Sequence, residues 1–161
     1  DLLRSNGTGR PFLIERDDLS HMRGLVGRLM ATYSFDVVHA DQLTMTQFAL
    51  DLVDPKDGKR PFTVFDAHNA TWTISDRMFE NAPWFLRLLL KPETARIKRY
   101  EEMLVQSFDH TMVVIPQDEK ALVAGLNGKA EKVVKRISVI PIAVDTNRLQ
   151  PTKRKPKSKN I

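Results

Sequence analysis

Cysteine is absent from this chain. A disulfide framework, a thiolate zinc site and thiol catalysis are therefore excluded, and a reducing compartment is the natural expectation. No apolar run approaches the roughly 20 residues that a membrane-spanning helix needs. Glycine is scarce, at seven of 161 residues, and the glycine-built motifs are missing: no Gly-x-Gly-x-x-Gly, no Walker loop and no Gly-x-Ser-x-Gly elbow. There is no His-Glu-x-x-His pair, and no set of carboxylates and histidines has metal-ligand spacing along the chain. The expectation is therefore no protein-bound metal and no cofactor. Asn6-Gly7-Thr8-Gly9 precedes an apolar run instead of linking a strand to a helix, and reads as a turn.

A basic excess is present, but it is local. Five of the 25 basic residues (Lys153, Arg154, Lys155, Lys157 and Lys159) fall in 151–161 with no acidic one, so residues 1–150 hold 20 of each sign. A nucleic-acid binder carries a basic face across its fold, so no nucleic-acid partner is expected. The tail, with Pro151 and Pro156, reads as a solvated linker. The remainder, in a chain that is 42% hydrophobic and 28% charged, has the composition of one globular domain with a sizeable core.

Apolar periodicity divides residues 12–150 into alternating elements. Phe12-Leu13-Ile14-Glu15-Arg16 reads as a short strand. A helix capped by Asp17 or Asp18 follows, with Leu19, Met22, Val26, Leu29, Met30 and Tyr33 at three- and four-residue spacing. A strand over 36–40 precedes a helix over about 43–52, and 54–59 is turn chemistry. A strand over 62–66 comes next, and Asn81-Ala82-Pro83 breaks a short helix. Pro92 suits the first turn of a long helix, with Glu93 near its positive end and a buried stripe of Ile97, Tyr100, Leu104 and Phe108. Arg96, Arg99, Glu101 and Glu102 read as a solvated, ion-paired face of that helix. A strand over 111–115, a helix capped by Asp118 and ended by Asn127-Gly128, and a strand over 137–141 close the series. Alternation with near-continuous apolar strands predicts an α/β fold, a Rossmann-like parallel sheet with helices on both faces.

In such a sheet ligands collect outside the carboxyl ends of the strands. Four polar clusters are expected at that edge: Asp41/Gln42, Asp66/His68/Asn69, Gln117/Asp118 and Asp145. His68 is the chief functional candidate. An imidazole past a strand end can donate to a sugar hydroxyl or a phosphate oxygen, or it can simply pack under the next helix. Asp41 and Gln42 either bind substrate hydroxyls or, in the case of Asp41, cap the helix that follows. Asn69 lies beside His68, and Trp72 either stacks on a sugar ring or covers the core. His39, within its strand, reads as buried, and His21 and His110 as incidental. The run Trp84-Phe85-Leu86-Arg87-Leu88-Leu89-Leu90 either packs against the domain or a partner, or forms a peripheral membrane contact.

Taken together, several segments resemble one family. Phe35-Asp36-Val37-Val38-His39-Ala40-Asp41-Gln42 is similar to the "fDvvh" strand of family 4 glycosyltransferases with the GT-B fold. The His68 strand looks like their next strand, which ends in a sugar-contacting histidine. Arg99-Tyr100-Glu101 and Phe108-Asp109 resemble their "yE…fD" segment, and Val139-Ile140-Pro141-Ile142-Ala143-Val144-Asp145 their "vipnGvD" sequence. The chain departs from the pattern at Ala143, where the family has glycine, and at Pro116-Gln117, where it often has serine.

The resemblance implies that residues 1–150 are most of a Rossmann-like acceptor-side domain, with an N-terminal strand expected before Asp1. Residues 151–161 would lead to a donor domain that holds the nucleotide and paired glutamates. It implies a retaining transfer of sugar from a nucleotide-diphosphate sugar to a hydroxyl acceptor, in cell-surface polysaccharide or glycolipid synthesis at the cytoplasmic face of a membrane. His68 would contact the donor sugar at the reacting centre, and Asp41, Gln42 and Asn69 would line the acceptor side. The isolated fragment is expected to be inactive. The alternatives are a non-enzymatic α/β ligand-binding or regulatory module and a nucleotide-sugar epimerase.

Overall fold

The computed structural model describes residue 5 and residues 7–53, 60–80, 82–126 and 128–149. The expected turn at 54–59 and the basic tail lie outside these residues. Four parallel strands form one sheet in the order of the chain: β1 (Val37–Asp41), β2 (Phe62–Asp66), β3 (His110–Val113) and β4 (Ile137–Val139). Asp41 pairs in register with Asp66, and Asp66 with Met112. The strands are joined by a short helical stretch containing α3 (Thr46–Ala49), by α4 (Thr71–Glu80) and α5 (Trp84–Ser107), and by α6 (Pro116–Val123) and α7 (Ala130–Val134). Before β1 come α1 (Phe12–Arg16) and α2 (Ser20–Thr32). The expected Rossmann-like parallel α/β fold is the one observed.

Strand order decides how the sheet is covered. Right-handed crossovers between strands laid down in sequence all pass on the same side. Accordingly, Val38, Ala40, Phe65, Val113, Ile137 and Val139 face one core with Ile97, Leu104, Phe108, Leu122 and Val133. The Phe65 and Phe108 rings meet at 5.9 Å between centroids. The alternate residues point the other way, and Val37 and Phe62 there are about half exposed. Among the described residues, then, the joining helices cover one face. The expectation of helices on both faces rested on near-continuous apolar strands; a second helical layer also needs a reversal in strand order, which these four strands do not have.

Several elements differ from their sequence reading for local reasons. Residues 12–16 form a helix, not a strand. Pro11 starts it, Ile14 is fully buried in the core, and the buried carboxylate of Glu15 accepts the Thr8 hydroxyl at 2.8 Å. Leu19, not an aspartate, occupies the N-cap of α2. Asp18 instead accepts bonds from Arg23 at 2.7 Å and Arg10 at 2.9 Å. The Arg23 bond is the main reason its carboxyl is held down to about 2. No residue of α2 is buried; Met22 and Val26 line a shallow groove with Val38 and Phe48.

Pro92 lies inside α5 rather than at its start, because the helix begins two turns earlier at Trp84. Glu93 is thus in mid-helix, where it accepts the Phe12 N–H at 2.5 Å and pairs with Arg96 at 3.5 Å. The stripe of Ile97, Tyr100, Leu104 and Phe108 is buried as expected.

One polar cluster ties the start of β2 to the start of β3. Asp109 accepts the Thr63 N–H at 2.8 Å and the Thr63 hydroxyl at 2.9 Å, and a two-pronged bond from Arg60. The Arg60 guanidinium is the largest cause holding this carboxyl well below the usual carboxylate range. Its stabilisation is present above the unfolded pKa near 4 and lost as pH falls below it. Asp109→Ala is expected to lower unfolding free energy by about 2–3 kcal/mol, since it strands charged and backbone partners. Urea unfolding at pH 7 and at pH 3 checks both parts: the difference between wild type and variant should shrink in acid.

Candidate functional site

The carboxyl ends of β1 and β2 bring together residues that are 25 or more positions apart. His39 and Asp41 project to the open face because side chains two apart on a strand share a face. Asp66 lies directly across from Asp41. Two non-glycine residues just past these ends, Gln42 and His68, have left-handed backbones, with φ of 70° and 54°. Histidine is among the residues that tolerate this region. The turn at His68 brings its ring back over the sheet edge, where Nε2 lies 2.7 Å from Asp41 Oδ1 and 3.8 Å from Asp66 Oδ1. His39 Nε2 lies 3.3 Å from the other oxygen of Asp66. His68 and His39 are both about half exposed, so each ring is open to a ligand.

Backbone bonds fix this edge. Gln42 N–H donates to Asp66 O at 3.0 Å, Ala67 N–H to Met112 O at 2.9 Å, and Ile140 N–H to Val113 O at 2.7 Å. His68 stands between two small pockets. One, of about 260 Å³, is lined by Asp66, Met112, Val114, Ile140 and Ile142. The other, of about 290 Å³, is lined by Gln42, Leu43, Thr44, Asn69 and Thr71.

The loop that carries His68 is held from beneath by two carboxylates. Asp118 Oδ1 accepts the Ala70 N–H at 3.0 Å. Glu101 accepts the Thr71 N–H at 2.7 Å and the Trp72 N–H at 3.0 Å. These amides open α4, where unpaired donors and the positive end of the helix dipole favour an acceptor. Asp118 therefore serves this loop instead of capping its own helix, whose N-cap is Ile115. Glu101 is fully buried, which corrects its reading as part of a solvated face. Burial pushes its carboxyl up to about 7, against the opposing pull of the Trp72 and Thr71 amides.

The structure thus joins His68, Asp41, Gln42 and Asn69 at one edge. Trp72 is elsewhere: its indole N–H donates to Ala121 O at 3.3 Å, and Lys98 lies 4.8 Å over its ring. Asp145 binds its own turn through the Asn147 N–H at 2.9 Å. His110 meets Ser138 Oγ at 2.9 Å.

Sequence reasoning passed over two members of the site. Asp66 was placed at the edge without a role, and His39 was read as buried, whereas the open sheet face exposes it. The His39-x-Asp41 alternation was the available signal, since whichever face takes one takes the other. For Glu101 the signal was its spacing of four from Ile97 and Val105, both on the buried stripe.

No protein-family model matches the chain, and no curated protein or solved structure is significantly similar to it.

Glu101 sets a pH dependence of stability. Between its ordinary value of 4.5 and about 7, the folded state holds a proton that the unfolded chain has released. Stability is therefore highest at the low end of that window and falls as pH rises through it, by an amount on the order of 3 kcal/mol. Denaturant titrations at pH 5, 6, 7 and 8 should show the decline, and Glu101→Gln should flatten it. The variant should also be weaker at pH 5 by about 1–3 kcal/mol, because its amide nitrogen faces a backbone N–H.

Proposed function

We propose that this chain is most of the acceptor-side domain of a retaining, family 4-like glycosyltransferase that uses a nucleotide-diphosphate sugar. The observation that carries the reading is His68 itself: a half-exposed imidazole, turned by a left-handed backbone over the carboxyl edge of a parallel sheet, against Asp41. Open α/β sheets bind ligands at that edge, and the resemblance of the β1, β2 and β4 segments gives the class of ligand.

In this reading the His68 ring donates to a hydroxyl of the donor sugar, with Asp41 orienting the ring. Gln42 and Asn69, which share the second pocket, accept and donate to acceptor hydroxyls. The main catalytic contribution is preorganised hydrogen bonding at a developing oxocarbenium centre and a departing diphosphate, not a protein nucleophile. The Asp118 and Glu101 bonds to residues 70–72 supply the preorganisation, since they fix the loop before any substrate arrives.

The test is nucleotide release by the protein that carries this domain, over a panel of UDP-, GDP- and ADP-sugars with hydroxyl acceptors. One donor should turn over, and His68→Ala should lower kcat/KM about a hundredfold, or roughly 2.7 kcal/mol. No release from any donor by folded protein would overturn the reading.

The same reading includes a peripheral contact at the cytoplasmic face of a membrane. No described helix is long and apolar enough to cross one. At the start of α5, however, Trp84 and Phe85 are 76% and 56% exposed and meet edge to face, with Arg87 and Lys91 following on the same helix. The side chains at 86 and 88–90 lie outside the described residues. Exposed aromatics beside basic residues suit an anionic interface. Sedimentation with vesicles containing anionic lipid should fall about tenfold or more for the Trp84→Ser, Phe85→Ser double variant. Retention equal to wild type would remove the membrane contact and leave the transferase.

A further inference from the structure

We propose that Asp41, Asp66 and His68 form a binding site for one divalent transition-metal ion of the zinc class, with His39 at its rim. The site uses the same strand ends as the transferase reading but goes beyond it and requires none of its chemistry.

One ligand atom each from Asp41, Asp66 and His68 can be chosen so that all three lie within 4.8 Å of one another. His39 Nε2 lies outside this set, 3.3 Å from Asp66 Oδ2. Ligands that each lie about 2.0–2.2 Å from a common ion are spaced by roughly 3–3.5 Å, which the 2.7 and 3.8 Å separations of His68 Nε2 from Asp41 and Asp66 bracket. The backbone beneath them is the most constrained in the site, a parallel strand pair and a hydrogen-bonded turn.

Charge argues the same way. Among the described residues, the side chains of Asp41 and Asp66 have only histidine side chains as partners within 4 Å. Other carboxylates have arginine partners: Asp17 with Arg16, Asp18 with Arg10 and Arg23, Glu93 with Arg96, and Asp109 with Arg60. Two neighbouring carboxylates beside one imidazole donor carry two negative charges, and a divalent ion would neutralise them. The mixture of imidazole nitrogen and carboxylate oxygen selects Zn²⁺, Co²⁺ or Mn²⁺ over Ca²⁺ and Mg²⁺, which prefer oxygen alone. The 260 Å³ pocket beside Asp66 and His68 leaves one side of the ion open to an oxygen ligand from outside the protein.

The linear sequence hides this set because its members come from two strands and a turn, brought together by the register of β1 with β2. That is why the spacing of residues along the chain argued for no metal.

The test is a titration of chelator-treated protein with Co²⁺, read by its visible d–d absorption, followed by competition with Zn²⁺. One ion per chain should bind in the micromolar range or tighter. His68→Ala and Asp66→Asn should each weaken binding about tenfold or more, while His110→Ala, a histidine bonded to Ser138, should bind like wild type. His68 is half exposed, so its variant should fold, and circular dichroism verifies that it does. Absence of saturable binding up to millimolar metal would overturn the proposal. So would equal binding by His68→Ala and wild type, which would mean scattered surface histidines only. No sugar donor enters the titration, so metal binding can fail while turnover survives, and turnover can fail while metal binding stands.

Discussion

Two buried carboxylates grip the loop on which the site depends. Glu101, from the middle of α5, accepts the second and third backbone donors of the run 70–72, and Asp118, from α6, accepts the first. A carboxylate removed from water is costly unless its lone pairs are satisfied, and here the satisfying donors are the ones that the start of α4 leaves unpaired. Each group solves the other's problem. The consequence for geometry is that the turn through His68 is anchored at its far end to two helices packed in the core. Its near end is anchored to β3 through the Ala67 bond to Met112. The imidazole hangs from a segment with little freedom to drift, even though the ring itself is open to solvent.

Much of this arrangement was legible along the chain, and the parts that were not have physical causes. The strand at 62–66 could be read because its apolar residues stop at hard boundaries, Pro61 on one side and Asp66 on the other. The short apolar run at 12–16 has no such contrast. Runs of that length fit a buried helical turn as well as a strand, and only the contact of Ile14 with the core decides between them. Pro92 misled because a proline within a long helix and one at its first turn look alike locally; what distinguishes them is the extent of helix before it. Glu101 reads as surface along the chain because its charge outweighs its position on the buried stripe.

The site itself was half legible. Polar residues following apolar runs mark strand ends, so Asp41, Gln42, His68 and Asn69 could be named. Which of them touch depends on register, and register comes from side-chain packing between strands, not from any one strand. The pairing of Asp41 with Asp66 is a case in point, because a slip of one residue would send them to opposite faces. His39 was lost for a related reason. Whether a strand residue is buried depends on which face is covered, and that follows from strand order.

That strand order has a further consequence for how this protein can change. In a sheet sandwiched between two helical layers, every strand residue serves the core, and a new polar side chain competes with packing. Here β1 and β2 each carry two independent messages in alternating letters. One set, with Ala40 and Phe65, is read by the hydrophobic core. The other, with His39, Asp41 and Asp66, is read only from outside. Variation can therefore rewrite the outward letters, and with them the ligand, while the inward letters keep the fold. Folding and chemistry are divided between odd and even positions of the same few residues.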